Sequence, residues 1–501
     1  MTTPSHDPRP SERQGPILRA LDAVARIGDR LPDPAVLFVA LTALVAAASF
    51  VAARRHVSLT SPVTGANLTA ENLLSAEGVR RIAEGAVKSF VTYPQLGVAI
   101  AALLGVFVAE RSGVLGAAFR RLAALLPPWA LTALLFFVAA HVAIAGDTGI
   151  FLLVPLGAIL FQSAGRSPLA GLSAAFSGAT GGYGAGFLLT SMDAKLAGIT
   201  GSPATPTSTY YFTSAATVLL TATATLVHHA FVEPRLPVSP PDVDSGAGEG
   251  AGEGADEGRA LRLAGVGLLA LLVVLAALVV PEKGLLRDDS GSPKPFFAAL
   301  PLLALMACLV PAAVFGHFAG SIPDHRAFVR IAGRAAADIG PYLVLAFVAA
   351  QLLAAVDASN LAAAIVVKAS RGVPRSHLQG APLAIGVAGL TALLGLWVPS
   401  ASARWGLMAA AVVPAVVAAG GTPESALAAF RAGLGPALMV TPLLPHYAVF
   451  AACAKRWSPR AGAGTLVAVT LPQSIAFGAA WLLLLAVWLG AGLPLGPLSA
   501  P

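Results

Sequence analysis

Charge is what this sequence is shortest of. Asp, Glu, Lys and Arg make up 11% of its 501 residues, where a soluble domain carries roughly 25%. Hydrophobic residues make up 56%, and the mean hydropathy is +0.77. Such a chain has too little polar surface to cover itself in water, so its solvent is a lipid bilayer. Cysteine is nearly absent. Cys308 and Cys453 both sit in apolar stretches, which excludes a disulfide framework and gives no metal-ligand spacing. No His-Glu-x-x-His pair occurs, and no Gly-rich loop ending in Gly-Lys-Ser/Thr, so neither a zinc protease nor an ATP-driven pump is indicated. Gly171-Leu-Ser-Ala174 has a faint likeness to a membrane serine-protease motif, and it keeps an intramembrane hydrolase as an alternative. The net charge is +7. With no basic run interleaved with aromatics, nucleic acid is not an expected partner, and the cations read as topology signals on membrane loops. His141, His228, His229 and His446 have no metal-like spacing. No cofactor is expected.

What is present is a long series of apolar segments. Residues 34–53, 89–109, 209–231, 263–280, 296–315, 340–356 and 466–489 read as plain spans. A polar loop to about Gly85 separates the first two. Residues 169–199 and 425–454 are spans interrupted by glycine or proline, Gly178 to Gly186 in one and Gly433 to Pro445 in the other. Outside them lie a polar N-terminal segment, 1–32, and a tail, 491–501. Residues 19–30 read as an amphipathic helix at the membrane surface. The first residues lack the apolar core of a cleaved signal, so this end is expected in the cytoplasm. Residues 234–260 form an acidic, Gly-rich linker expected to be disordered and cytoplasmic. It divides a first transmembrane half, 33–233, from a second, 261–490.

Two further segments are too long for one crossing at 1.5 Å per residue. Residues 122–165 carry one formal charge, Asp147, and are basic at both flanks: Arg120 and Arg121 before, Arg166 after. Equal flanks imply an even number of crossings, either two full spans or a re-entrant hairpin near 129–163. The tip Ala145-Gly-Asp-Thr-Gly149 has the glycines that break a helix. Residues 377–422 repeat the pattern with Arg404 as their one formal charge, a hairpin near 378–420, and a tip at Pro399-Ser-Ala-Ser-Ala-Arg-Trp405.

The two halves also align. Gly165-Arg-Ser-Pro168 and then Ala174-Ala-Phe176 match Gly420-Gly-Thr-Pro423 and then Ala428-Ala-Phe430. Each stretch follows a hairpin-like segment and opens a broken helix. The plain alternative is chance similarity in an Ala/Gly-rich chain. The expected fold is an all-α polytopic membrane protein with about nine transmembrane helices plus two re-entrant hairpins in an inverted repeat, its broken helices at the midplane. Inverted repeats of this kind place a substrate at the repeat interface and favour alternating access over a channel.

At these residues the chain resembles the p-aminobenzoyl-glutamate transporter family, over about 31–489 apart from the acidic linker. The carrying motifs are Tyr93-Pro-Gln-Leu-Gly97, Asp147-Thr-Gly149, Leu153-Val-Pro-Leu-Gly157 and Ala164-Gly-Arg-Ser-Pro-Leu-Ala-Gly171, then Met192-Asp-Ala-Lys-Leu-Ala-Gly198, Tyr210-Tyr-Phe212 and Val232-Glu-Pro-Arg235. In the second half they are Ser359-Asn-Leu361, Ser400-Ala-Ser-Ala-Arg-Trp405, Arg431 and Thr441-Pro-Leu-Leu-Pro445. The resemblance implies a dimeric, multi-pass inner-membrane carrier with nine spans and two hairpins. It takes up p-aminobenzoyl-glutamate, or exports p-aminobenzoate-like compounds including sulfonamides. It implies function at Asp193, Ser402, Trp405, Pro423 and Arg431. Another organic anion is the alternative cargo. Departures from the family pattern are Pro399, Arg404, Leu434 and Gly184-Ala-Gly186, and the last two remove oxygen ligands expected of a sodium site.

Charges inside the bilayer cost roughly 2.5–3.5 kcal/mol each on insertion scales, so Asp147, Asp193, Arg404 and Arg431 each need a reason. The plain reason is a structural pair or a place near an interface. The functional expectation gives Arg431 and Ser402 the substrate carboxylate, with Trp405 against the ring and Pro423 nearby. Asp193 is expected to couple transport to protons, with sodium as the rival ion. Lys195 stands two residues on and off that face. Asp147, Ser400 and Arg404 mark the hairpin tips.

Overall fold

A computed structural model describes residues 32–236 and 256–497, apart from 61, 63, 64, 66 and 460. The surface helix expected over 19–30 lies outside the described residues, as does most of the acidic linker. The first half contains α1 (Pro34–Arg54), a hairpin of β1 (Ser58–Thr60) and β2 (Asn67–Thr69), α2 (Ala76–Val91), α3 (Pro94–Ser112) and α4 (Val114–Leu125). It continues with α5 (Pro128–His141), α6 (Gly146–Ser163), α7 (Pro168–Gly181), α8 (Ser191–Thr200) and α9 (Tyr210–Val227). The second half opens with α10 (Glu257–Val279), α11 (Lys294–Ala319), α12 (His325–Ala337), α13 (Gly340–Ser359) and α14 (Leu361–Ser370). It ends with α15 (Gly380–Gly395), α16 (Ala401–Ala418), α17 (Pro423–Ala432), α18 (Tyr447–Trp457) and α19 (Ala463–Gly490).

Local chemistry sets many of these boundaries. Proline occupies the first turn of α1, α3, α5, α7 and α17, where its missing N–H costs no helical bond. Asp33, Ser75 and Asp324 cap α1, α2 and α12 by accepting from Ala35, Gly78 and Ala327. Gly113, at φ 90°, turns the chain between α3 and α4, a conformation that costs glycine little.

Among the described residues nine helical segments are long and apolar enough to cross a membrane. Hydrogen bonds and ion pairs sort their ends into two groups. At one end Lys455 meets Asp33, Arg456 meets Glu110 and Arg111 meets Asp338. At the other, Leu73 donates to Ser49, Asn360 to the Thr69 carbonyl, and Tyr211 to the Leu495 carbonyl.

Both long segments are helix–break–helix units. Arg166, just past α6, donates to the Pro128 carbonyl at 3.2 Å and to Thr132 Oγ1 at 2.9 Å. The two ends of that unit therefore lie together, and α7 packs against both of its arms. In the second half α17 packs in the same way against α15 and α16, and α16 returns to the α14 region from which α15 departs.

Three expectations need correction. The polar loop to Gly85 is instead a β-hairpin followed by α2, whose helix begins at Ala76 under the Ser75 cap. Its exposed Arg80, Arg81 and Glu84 disguise it as loop. The linker expected over 234–260 is narrower, because Glu233–Arg235 forms a 3₁₀ turn and Asp256 caps a helix starting at Glu257. The interrupted spans 169–199 and 425–454 are each two helices with an irregular middle, 182–190 and 433–446.

Candidate functional site

The irregular middle of each broken span crosses the end of the other span's first helix. A Cβ on Gly435 would collide with the Gly181 carbonyl, and one on Gly184 would fall 2.7 Å from the Arg431 carbonyl. Only glycine lets these backbones touch. Gly184 and Gly435 therefore serve the crossing itself, whereas Gly178 and Gly182 let α7 approach α5 and Gly433 approaches the Ala388 carbonyl of α15. Gly184 could not carry a side-chain ligand there without moving the chain.

Beside the crossing lies an ion pair between the halves. Arg431, in the last turn of α17, donates from Nη2 to Asp193 Oδ1 at 2.5 Å. Asp193, in the first turn of α8, also accepts at Oδ2 from Thr190 N (2.6 Å) and Thr190 Oγ1 (2.7 Å). Both side chains are buried. Each charge also suits its helix end, the carboxylate at an N-terminus and the guanidinium at a C-terminus. Arg431 Nε has no partner among the described residues. The pair lines a narrow crevice with His141, Tyr183, Leu188 and Thr190. Lys195 is exposed and takes no part.

Trp405 is fully buried. Its indole N–H donates to Thr200 Oγ1 at 2.9 Å, and its ring lies 4.6 Å from that of Phe430, the neighbour of Arg431. Ser402 lies elsewhere, lining a cavity with Ile199, Thr200 and Ala403. It is near the end of α8, whereas Asp193 is at the start, about 10 Å along the helix. Ser402 and Arg431 thus do not form one cradle. Pro423 is the first residue of α17, about 12 Å along the helix from Arg431, where it shares the helix start with the reciprocal Thr422–Ser425 cap.

A cavity of about 620 Å³ lies between the two tips. Asp147 lines it from the first turn of α6, with 49% of its side chain exposed. His446 Nε2 is 3.1 Å from Asp147 Oδ1, and Gln95 Nε2 donates to Oδ2 at 3.3 Å. Ser400 and Trp397 line the opposite side, and Tyr93 and Tyr183 line it as well. Arg404 does not. It is 0% exposed, behind the tip, and donates to the carbonyls of Thr391 (3.0 Å) and Leu434 (3.4 Å).

In the sequence His446 has no metal-like spacing, and Gln95 stands only within the Tyr93–Gly97 motif. Neither carries a signal that would link it to Asp147. A second cluster, Glu110, Arg111, Asp338 and Arg456, joins α3, the α12–α13 turn and α18. Its members stand at helix ends, Glu110 and Arg111 closing the apolar α3, which is the one trace it leaves in the sequence. No group of His, Cys, Asp and Glu among the described residues could hold a metal ion.

Comparison with known proteins agrees with this architecture. The family model described as AbgT putative transporter family matches residues 19–501. The p-aminobenzoyl-glutamate transport protein of Escherichia coli (strain K12) is 29% identical over 487 residues, 95% of either chain. The solved YdaH transporter of Alcanivorax borkumensis, described as having an unusual topology, is 33% identical with a TM-score of 0.51, covering 93% of this chain and 100% of its own. Neisseria gonorrhoeae MtrF, described with a class of antimetabolite efflux pumps, is 31% identical with a TM-score of 0.52, covering 97% and 100%.

Proposed function

Because the chain belongs to the AbgT family and is a multi-pass membrane transporter, we propose that it is a secondary active carrier of p-aminobenzoyl-glutamate or a related p-aminobenzoate-type compound. It works by alternating access in the cytoplasmic membrane. On this reading the helix–break–helix units are re-entrant hairpins opening to opposite faces, and the halves are inverted repeats. The end carrying Asp33 and Lys455 faces the cytoplasm. The outer faces of α10 and α11, barely covered by the chain itself, serve lipid and a second copy in a homodimer.

The observation that carries the reading is the buried Arg431–Asp193 pair where the broken helices cross. A guanidinium held by one carboxylate is a receptor for another. When Asp193 takes a proton its hold on Arg431 weakens, and a substrate carboxylate can replace it on the fork. When Asp193 loses the proton the internal pair re-forms and the substrate is displaced. Proton and substrate therefore load together, which is the logic of cotransport. Trp405 holds Phe430, and through it the end of α17, in place. Ser402 and Pro423 contribute through the helices they sit on. Sodium is the rival coupling ion. Leu434, Gly184 and Gly186 bring no side-chain oxygen to the crossing, which favours protons.

The test is concentrative uptake of radiolabelled p-aminobenzoyl-glutamate and of a sulfonamide into sodium-free liposomes under an imposed pH gradient. The parent accumulates substrate, and Asp193→Asn equilibrates it without accumulation. Accumulation by Asp193→Asn equal to the parent's removes Asp193 from the coupling role. Accumulation only under a sodium gradient assigns the coupling to sodium.

A further inference from the structure

The lining of the cavity between the tips is ill suited to a substrate carboxylate. Its charged lining residues are two carboxylates, Asp147 and Asp357, and no Lys or Arg among the described residues lines it. An anionic end entering here meets like charge from both carboxylates. At about 620 Å³ it has the size of a small-molecule site, and its walls include Tyr93, Tyr183 and Trp397.

Asp147 is held for use. His446 fixes Oδ1 and Gln95 fixes Oδ2. A carboxylate oxygen accepts two hydrogen bonds, so each retains a free lone pair, and half of the side chain stays open to the cavity. The group is thus an oriented acceptor with capacity for a further donor. Tyr183 and Met192 line both this cavity and the crevice of Arg431, so the two spaces adjoin across these side chains.

We propose that this cavity is a subsite for the arylamine end of the substrate, with Asp147 accepting from its N–H and the aromatic walls flanking the ring. The inference rests on the reading above for the substrate's other end, which points past Tyr183 and Met192 toward Arg431. An oriented acceptor against a ring-sized cavity selects a para-amino group over a bare ring or an acceptor such as nitro.

Titration calorimetry on the purified full-length protein tests it with three probes: p-aminobenzoate, benzoate, and p-aminobenzamide, which has the amine and no carboxylate. The parent should prefer p-aminobenzoate to benzoate by roughly 10–100-fold, the worth of one hydrogen bond to a charged group. Asp147→Ala should bring that ratio to within about threefold of unity, and Asp147→Asn should give an intermediate value because a neutral acceptor is weaker. p-Aminobenzamide should bind the parent and fail to bind Asp147→Ala. The subsite is overturned if the parent does not bind p-aminobenzamide, or if Asp147→Ala binds it as the parent does. The carboxylate reading fails separately, on benzoate binding Arg431→Gln at parental affinity.

Discussion

The two tips are built alike and use their charges in opposite ways. The first exposes Asp147 to the cavity, with two side chains orienting it. The second hides Arg404 behind its turn, where it bonds backbone carbonyls near the ends of α15 and α17. Those carbonyls carry the negative end of each helix dipole, so they satisfy a cation without a carboxylate. The difference shows that an intramembrane charge is no site in itself. Exposure and the type of partner decide whether it binds a ligand or holds the fold.

The largest effect expected from this contrast is on stability. Arg404→Ala leaves the Thr391 and Leu434 carbonyls without that donor and opens a cavity, at a cost of about 3 kcal/mol. Asp147→Ala, half exposed, should cost less than about 1 kcal/mol. Thermal unfolding of the two variants in detergent compares them directly. Equal losses would end the distinction between a structural tip and a binding tip.

Next comes the space that Arg404 fills. Gly395 ends α15, and a Cβ added there would collide with Arg404 Nη1. Gly395→Ala should therefore cost about 2 kcal/mol through forced displacement of the guanidinium. In the combination with Arg404→Ala the penalty of the added methyl should largely vanish, because the two residues contend for one volume. Additive losses would place the strain elsewhere.

How much of this was visible beforehand follows from range. The length of 122–165 and 377–422, with basic flanks on the first, announced helix–break–helix units, since hydrocarbon thickness limits any single helix. The broken spans were visible in their glycines. The pairing of Asp193 with Arg431 was not. The two were assigned separate tasks, and nothing local links residues so far apart in the chain. Burial was equally hidden. Asp147 and Arg404 look alike in sequence, each a lone charge near a tip, yet packing puts one in the cavity and the other at 0% exposure. The helix α2 escaped notice because its charged face outweighs its apolar one in composition.

A smaller effect bears on Trp405, one residue past Arg404. Its indole donates to Thr200, whose hydroxyl also donates to the Leu196 carbonyl. Trp405→Phe loses one hydrogen bond while leaving Thr200 with a partner, so about 1 kcal/mol of stability should go. Substrate affinity should change by less than about threefold if Trp405 acts only by holding Phe430. A loss of tenfold or more with the fold intact would show that its ring stacks on the substrate in another state of the cycle.

The smallest effect has the opposite sign and comes from the same helix as Gly395. Gly389 lies in the interior of α15 on an exposed face, and a Cβ added there meets nothing within 4 Å. A helical glycine that is not needed for space only adds freedom to the unfolded chain. Gly389→Ala should therefore raise stability by about 0.5 kcal/mol, seen as a small upward shift in Tm with uptake retained. The two alanine substitutions lie six positions apart on one helix and add the same methyl, so a difference of about 2 kcal/mol between them reports the volume that Arg404 occupies. If Gly389→Ala were destabilising like Gly395→Ala, the cost would belong to α15 as a whole, through lipid or a second copy against its face, and the second tip would lose its claim to a private structural lock.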